Sequence, residues 1–154
     1  MKKYFKVILL FLLLGSGLGA IFSPFGEAFE STNTNRVWSY TLYNRIFGEG
    51  TSKNVGALTL AWCLNLFALL AVIVLIVLYF AKIYPTKRSL IIFYGAIAGL
   101  FGVGSIIDFC ACPIIGNTTD ATLGIGTILT AIFLALGFLI AIAMLFVTLK
   151  SNDD

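Results

Sequence analysis

Residues 57–81 read ALTLAWCLNLFALLAVIVLIVLYFA, with no lysine, arginine, aspartate or glutamate in the run. At about 1.5 Å per helical residue such a segment outspans a bilayer core of roughly 30 Å. Three more runs, residues 7–22, 90–107 and 121–149, are likewise free of charge. Apolar residues make up 60% of the 154-residue chain and charged residues 11%, against about 45–50% and 25% in ordinary soluble domains. There are too few polar groups to cover a water-facing surface, so lipid is the expected solvent.

The expected fold is therefore an all-α integral membrane protein in one four-span membrane domain, residues 1–154. Its core is an antiparallel up-down four-helix transmembrane bundle with helices at about 5–25, 57–82, 89–108 and 121–149. Outer loops fall at 26–56 and 109–120 and an inner turn at 83–88, where Pro85 forbids a continuous helix. The opening MKKYFKVILLFLLLGSGLGA has the charged start and apolar middle of a signal peptide. It reads as a retained helix, because its removal would leave three spans.

Orientation follows from the short-loop cations. Lys2, Lys3, Lys6, Lys82, Lys87, Arg88 and Lys150 fall on one side, and Arg36, Arg45 and Lys53 on the other. Both termini are expected in the cytoplasm, with the cell membrane as the location. The net charge of +3 reflects this bias and gives no reason to expect a nucleic-acid partner.

The long first outer loop holds NRVWSYTLYNRIFGEG, residues 35–50. Trp38, Tyr40, Leu42 and Ile46 share one parity, which suits a strand; Trp38, Leu42 and Ile46 also fit helical spacing, so both periods stay open. Trp38, Tyr40, Tyr43 and Phe47, flanked by Arg36 and Arg45, read as an aromatic belt at the membrane surface or as a partner-binding face.

Without a hydrophobic drive between helices in lipid, small residues mark close approach. Gly15 and Gly19, Gly95 and Gly99, and Ala98 and Gly102 form such pairs, while Gly126, Thr130, Ala131, Ala135, Gly137 and Ala141 line the last helix. Helices one, three and four are expected to pack tightly, with helix two showing more surface to lipid or a partner. Self-association through the same motifs is the alternative.

Histidine is absent, so imidazole bases and His-ligated metals are excluded. No catalytic residue, cofactor or metal is expected. The spans hold no acid, and Asn65, a lone amide, is expected to bond a neighbouring helix. Cys110-Ala111-Cys112 offers too few ligands for a metal site, and a bridge between its two thiols would be strained. Cys63 sits near the same end, which leaves a thiol-redox reading of Cys110, Cys112 and Cys63 open. Asp108 is expected at a water-accessible rim, or paired with Arg36, Arg45 or Lys53. Asn117-Thr118-Thr119 forms a glycosylation sequon.

The outline resembles the claudin and peripheral-myelin-protein tetraspans. The likeness lies in short inner termini, a long first outer loop, four spans, and the Gly/Ala texture of GAIAGLFGVGSII and TLGIGTILTAIFLALGFLIAIAM. Those proteins place a tryptophan motif with two following cysteines in the first loop; here WSYTLY carries Trp38 and both cysteines are missing. The resemblance implies a role for Trp38 as a loop anchor.

The function expected is non-enzymatic. The chain would act through protein or lipid contacts as an accessory subunit, scaffold or adhesion-type protein, with membrane lipids and other membrane chains or its own copies as partners. A transport or channel component using Asn65, Thr127 and Thr130 is the alternative, and a thiol-redox protein the third reading.

Overall fold

The computed structural model describes residues 2–33, 36–41, 46–47, 56–119 and 121–150, with side chains for 5–26, 41, 46–47, 56–110 and 124–150. Its helices are α1 (Lys2–Phe22), α2 (Gly56–Phe80), α3 (Lys87–Thr119) and α4 (Ile125–Lys150). Each contains a stretch long and apolar enough to cross a membrane. A single 3-10 turn, Ser23–Phe25, ends α1, with Pro24 buried inside it. Three strands, β1 (Glu27–Asn33), β2 (Arg36–Thr41) and β3 (Ala121–Leu123), complete the described elements.

Each helix packs on its two neighbours in a ring ordered α1, α2, α3, α4. Facing residues show that every neighbouring pair runs antiparallel. Gly17 meets Leu69 while Phe11 meets Phe80, so α1 and α2 oppose. Gly104 meets Asn65, and Tyr94 shares a cleft with Leu75, so α2 and α3 oppose. Along α1 and α4, Ser16 faces Gly137, Gly19 faces Phe133, Ser23 faces Thr130 and Gly26 faces Gly126.

The core is built from Leu10, Leu13, Ala20, Ala68, Val72, Leu75, Ile97, Phe101, Leu134, Ala141 and Met144. Phe101 is its hub, with a ring that lies against Gly17 on α1 and Gly137 on α4. Two glycines on the neighbouring helices α1 and α4 leave the width that an aromatic ring needs.

The α2–α3 turn is specified residue by residue. Ile83 N–H donates to the Leu78 carbonyl at 3.0 Å and Lys82 N–H to the Tyr79 carbonyl at 3.2 Å. These are the two bonds of a Schellman stop, whose left-handed position Lys82 fills at φ 57°. Thr86 then caps α3: its Oγ1 accepts from Ser89 N–H at 3.3 Å.

Three expectations are corrected. α3 does not end near residue 108; its backbone stays helical to Thr119, through Pro113, and only residue 120 separates it from β3. At 33 residues it measures about 50 Å, longer than a bilayer core. α4 starts at Ile125, because Ala121–Leu123 is strand. α2 is no more exposed than α3 or α4: the buried share of its span is 28%, the same as for those two, against 33% for α1.

The sheet joins both connections at one end of the bundle. Its order is β2-β1-β3, with both pairings antiparallel. Phe29 pairs with Tyr40 on one side and Leu123 on the other, and Ser31 with Trp38 and Ala121. A bulge lies between Glu27 and Phe29.

Candidate functional site

The sheet end of the bundle brings together some of the residues singled out on the sequence. Arg36, Trp38 and Tyr40 lie on β2, an outer strand of the sheet; the directions of their side chains lie outside the described residues, as do Tyr43 and Arg45 altogether. Phe47 is described, and its ring packs edge-on against Trp62 of α2 at 5.1 Å. Just before it, the Ile46 carbonyl accepts from Thr59 Oγ1 at 2.6 Å. Ile46 is 1% exposed, so this part of the first loop is pinned into the top of the bundle.

Beneath that cover lies a buried polar group. Trp62, Asn65, Asp108 and Thr130, from three different helices, line a void of about 10 Å³ closed by Ala20, Pro24, Ile46 and Leu58. Asn65 is 2% exposed and Asp108 6%. The rim position expected for Asp108 is therefore corrected. Its depth along α3 is near the end of a span, but its position on the helix turns the side chain to the interior, beside Trp62, Asn65 and Thr130. Asp108 also lies within a membrane-span candidate, which corrects the expectation of spans without an acid.

Asn65 sits where Gly104 of α3 has no side chain; a methyl there would run into the amide. Trp62 Nε1 and Asn65 Oδ1 are buried without a hydrogen-bond partner among the described residues. One unpartnered donor and one unpartnered acceptor thus belong to residues bordering a space the size of about one water.

Above and beside the void the hydroxyls have clear partners. Thr130 Oγ1 donates to the Gly126 carbonyl at 2.8 Å, so at the 2.6 Å contact with Ser23 the serine must donate. Thr127 is buried on the same helix end.

The small-residue pairs divide. Gly19 approaches Phe133, Gly102 approaches Phe138 and Gly137 approaches Ser16 and Phe101, while Gly126 meets Gly26. Ala131 and Ala135 are half-buried on α4. Gly15, Gly95 and Gly99, by contrast, have no neighbour within 4 Å beyond their own helix. They face outward, which corrects the expectation that both GxxxG pairs pack inside the chain. Gly17 and Gly104, which make closer contacts, were not singled out on the sequence; a single glycine on an apolar helix carries no mark of which face it occupies.

Cys63 is half-buried and Cys110 exposed, both as free thiols. The backbone at 110–112 is helical, and positions i and i+2 of a helix do not share a face. The side chain of Cys112 lies outside the described residues. Among the described residues no three metal-ligating side chains come together.

No family model matches the chain, and neither a curated protein nor a solved structure matches it. The tetraspan resemblance gains no support from these comparisons.

Proposed function

We propose that this is a non-enzymatic integral membrane protein that works by contact, as an accessory, scaffold or adhesion-type subunit. Its contact surface is the sheet end of the bundle, and its partners are other membrane protein chains or further copies of itself. One observation carries this reading. Both connections at that end, far apart in sequence, are tied into one sheet whose outer strand bears Arg36, Trp38 and Tyr40. Edge strands present unpaired backbone groups, and aromatic and arginine residues are the usual anchors of protein interfaces.

The cation distribution supports a topology with both termini in the cytoplasm and the sheet outside the cell membrane. The test is co-purification: a stoichiometric partner or self-complex that survives gentle extraction and is lost in Trp38→Ala supports the reading. A chain that is monomeric and alone in its native membrane contradicts it.

A transport component is the second reading, favoured by one observation, the buried set Asn65, Asp108, Thr127 and Thr130. A void of about 10 Å³ is room for a single water and no passage, which places it second. Ion flux through purified protein in vesicles, abolished by Asn65→Leu, would raise it to first.

A further inference from the structure

At the opposite end of the bundle, α1, α2, the α2–α3 turn and α3 enclose a cleft of about 480 Å³. That volume lies within the range of small-molecule sites. Leu10, Leu75, Ile83 and Leu90 give it an apolar wall. Among the described residues Lys6 is the one cation in its lining, and Tyr79, Tyr84 and Tyr94 bring phenol groups. Tyr94 is 5% exposed, so the cleft reaches the interior of the bundle, whereas Ile83 and Tyr84 are 59% and 67% exposed and mark its mouth.

The cleft has a structural cause. α1 and α3 are diagonal in the ring, and the Schellman stop ends α2 at the same level. Ile83–Pro85, which are not helical, then line the cleft where a further turn of α2 would have stood between α1 and α3.

We propose that this cleft is a binding site for an anionic phospholipid, one acyl chain lying along the apolar wall and the phosphate held at Lys6. Three observations choose this occupant. The wall is apolar, built by Leu10, Leu75, Ile83 and Leu90, and its mouth opens at exposed Ile83, which suits an acyl chain. The charge that lines it among the described residues, Lys6, is positive. The surrounding end of the bundle is basic as well, with Lys82 and Arg88 exposed on the turn and at the start of α3, and no aspartate or glutamate among the described residues of that end. Basic clefts between membrane helices are suited to phosphate headgroups, and the apolar wall adds the chain.

The proposal concerns the end remote from the sheet and stands or falls apart from the contact function. The test uses the full chain in detergent, titrated separately with phosphatidylglycerol and with phosphatidylcholine of identical acyl chains, and read by native mass spectrometry. The expected result is preferential retention of phosphatidylglycerol. Lys6→Gln should weaken that lipid by about fivefold, the effect of one cation near a phosphate, and leave phosphatidylcholine unchanged. Lys150→Gln, at the same end but outside the cleft, should change neither lipid. Leu90→Trp, which narrows the cleft, should lower binding of both lipids, with the thermal melting point confirming that the variant is folded. Equal retention of the two lipids by the unaltered chain overturns the proposal. So does an equal loss in Lys6→Gln and Lys150→Gln, or full binding in a folded Leu90→Trp.

Discussion

Gly99 and Gly104 lie on the same helix and have opposite surroundings. A methyl at Gly99 enters open space, whereas one at Gly104 strikes the Asn65 side chain. Gly99→Ala should therefore be neutral or stabilising by up to about 1 kcal/mol, the difference in helix propensity. Gly104→Ala should cost about 1–3 kcal/mol, because Asn65 is 2% exposed and has little room to retreat. Reversible unfolding of the two variants in mixed micelles checks both, and equal effects would contradict the geometry. Lys82 offers a test of opposite sign. It holds φ 57° at the helix stop, where a side chain costs about 1–2 kcal/mol that glycine avoids. Lys82→Gly should raise stability by about 1 kcal/mol in the same assay.

At the scale of the element, the α1–α4 seam shows what holds helices together without a hydrophobic drive. Small residues bring the backbones close, and hydroxyls then bridge them: Ser16 Oγ donates to the Phe133 carbonyl at 3.1 Å and Ser23 contacts Thr130 at 2.6 Å. A double-mutant cycle of Ser23→Ala and Thr130→Ala should give a coupling of about 0.6 kcal/mol, the size found for such bonds in membrane bundles. Additive single effects would mean that the bond contributes nothing. This is also the scale at which the sequence was most and least informative. The four spans were legible because a long charge-free run has few alternatives. The end of α3 was not, since Pro113, Gly116, Asn117 and Thr118 all favour a stop, yet the backbone continues to Thr119. Asp108 was misplaced as well, because its position on the helix turns the side chain to the interior. The seam residues Gly19, Gly126 and Gly137 were legible as small; Gly95 and Gly99 look the same in sequence and face outward. Composition tells that a helix can approach a neighbour closely, and the neighbours decide on which side. β3, three residues long, is too short to show any period.

For the whole molecule, the bundle has two unlike ends. One is basic, with a lipid-sized cleft; the other is capped by a sheet over buried Asn65 and Asp108. Their sidedness can be read directly in a cysteine-free background. Thr51→Cys, in the connection between β2 and α2, should react with a membrane-impermeant maleimide on intact cells, and Ser151→Cys only after permeabilisation. The reverse pattern would invert the proposed orientation. The central claim, that the chain acts through contacts at the sheet end, is tested most directly by native mass spectrometry of the protein gently extracted from its own membrane. The prediction is a complex of fixed stoichiometry, with another chain or with further copies, that Trp38→Ala dissolves while the bundle remains folded. A lone monomer from the native membrane, or a complex indifferent to Trp38→Ala, would contradict it.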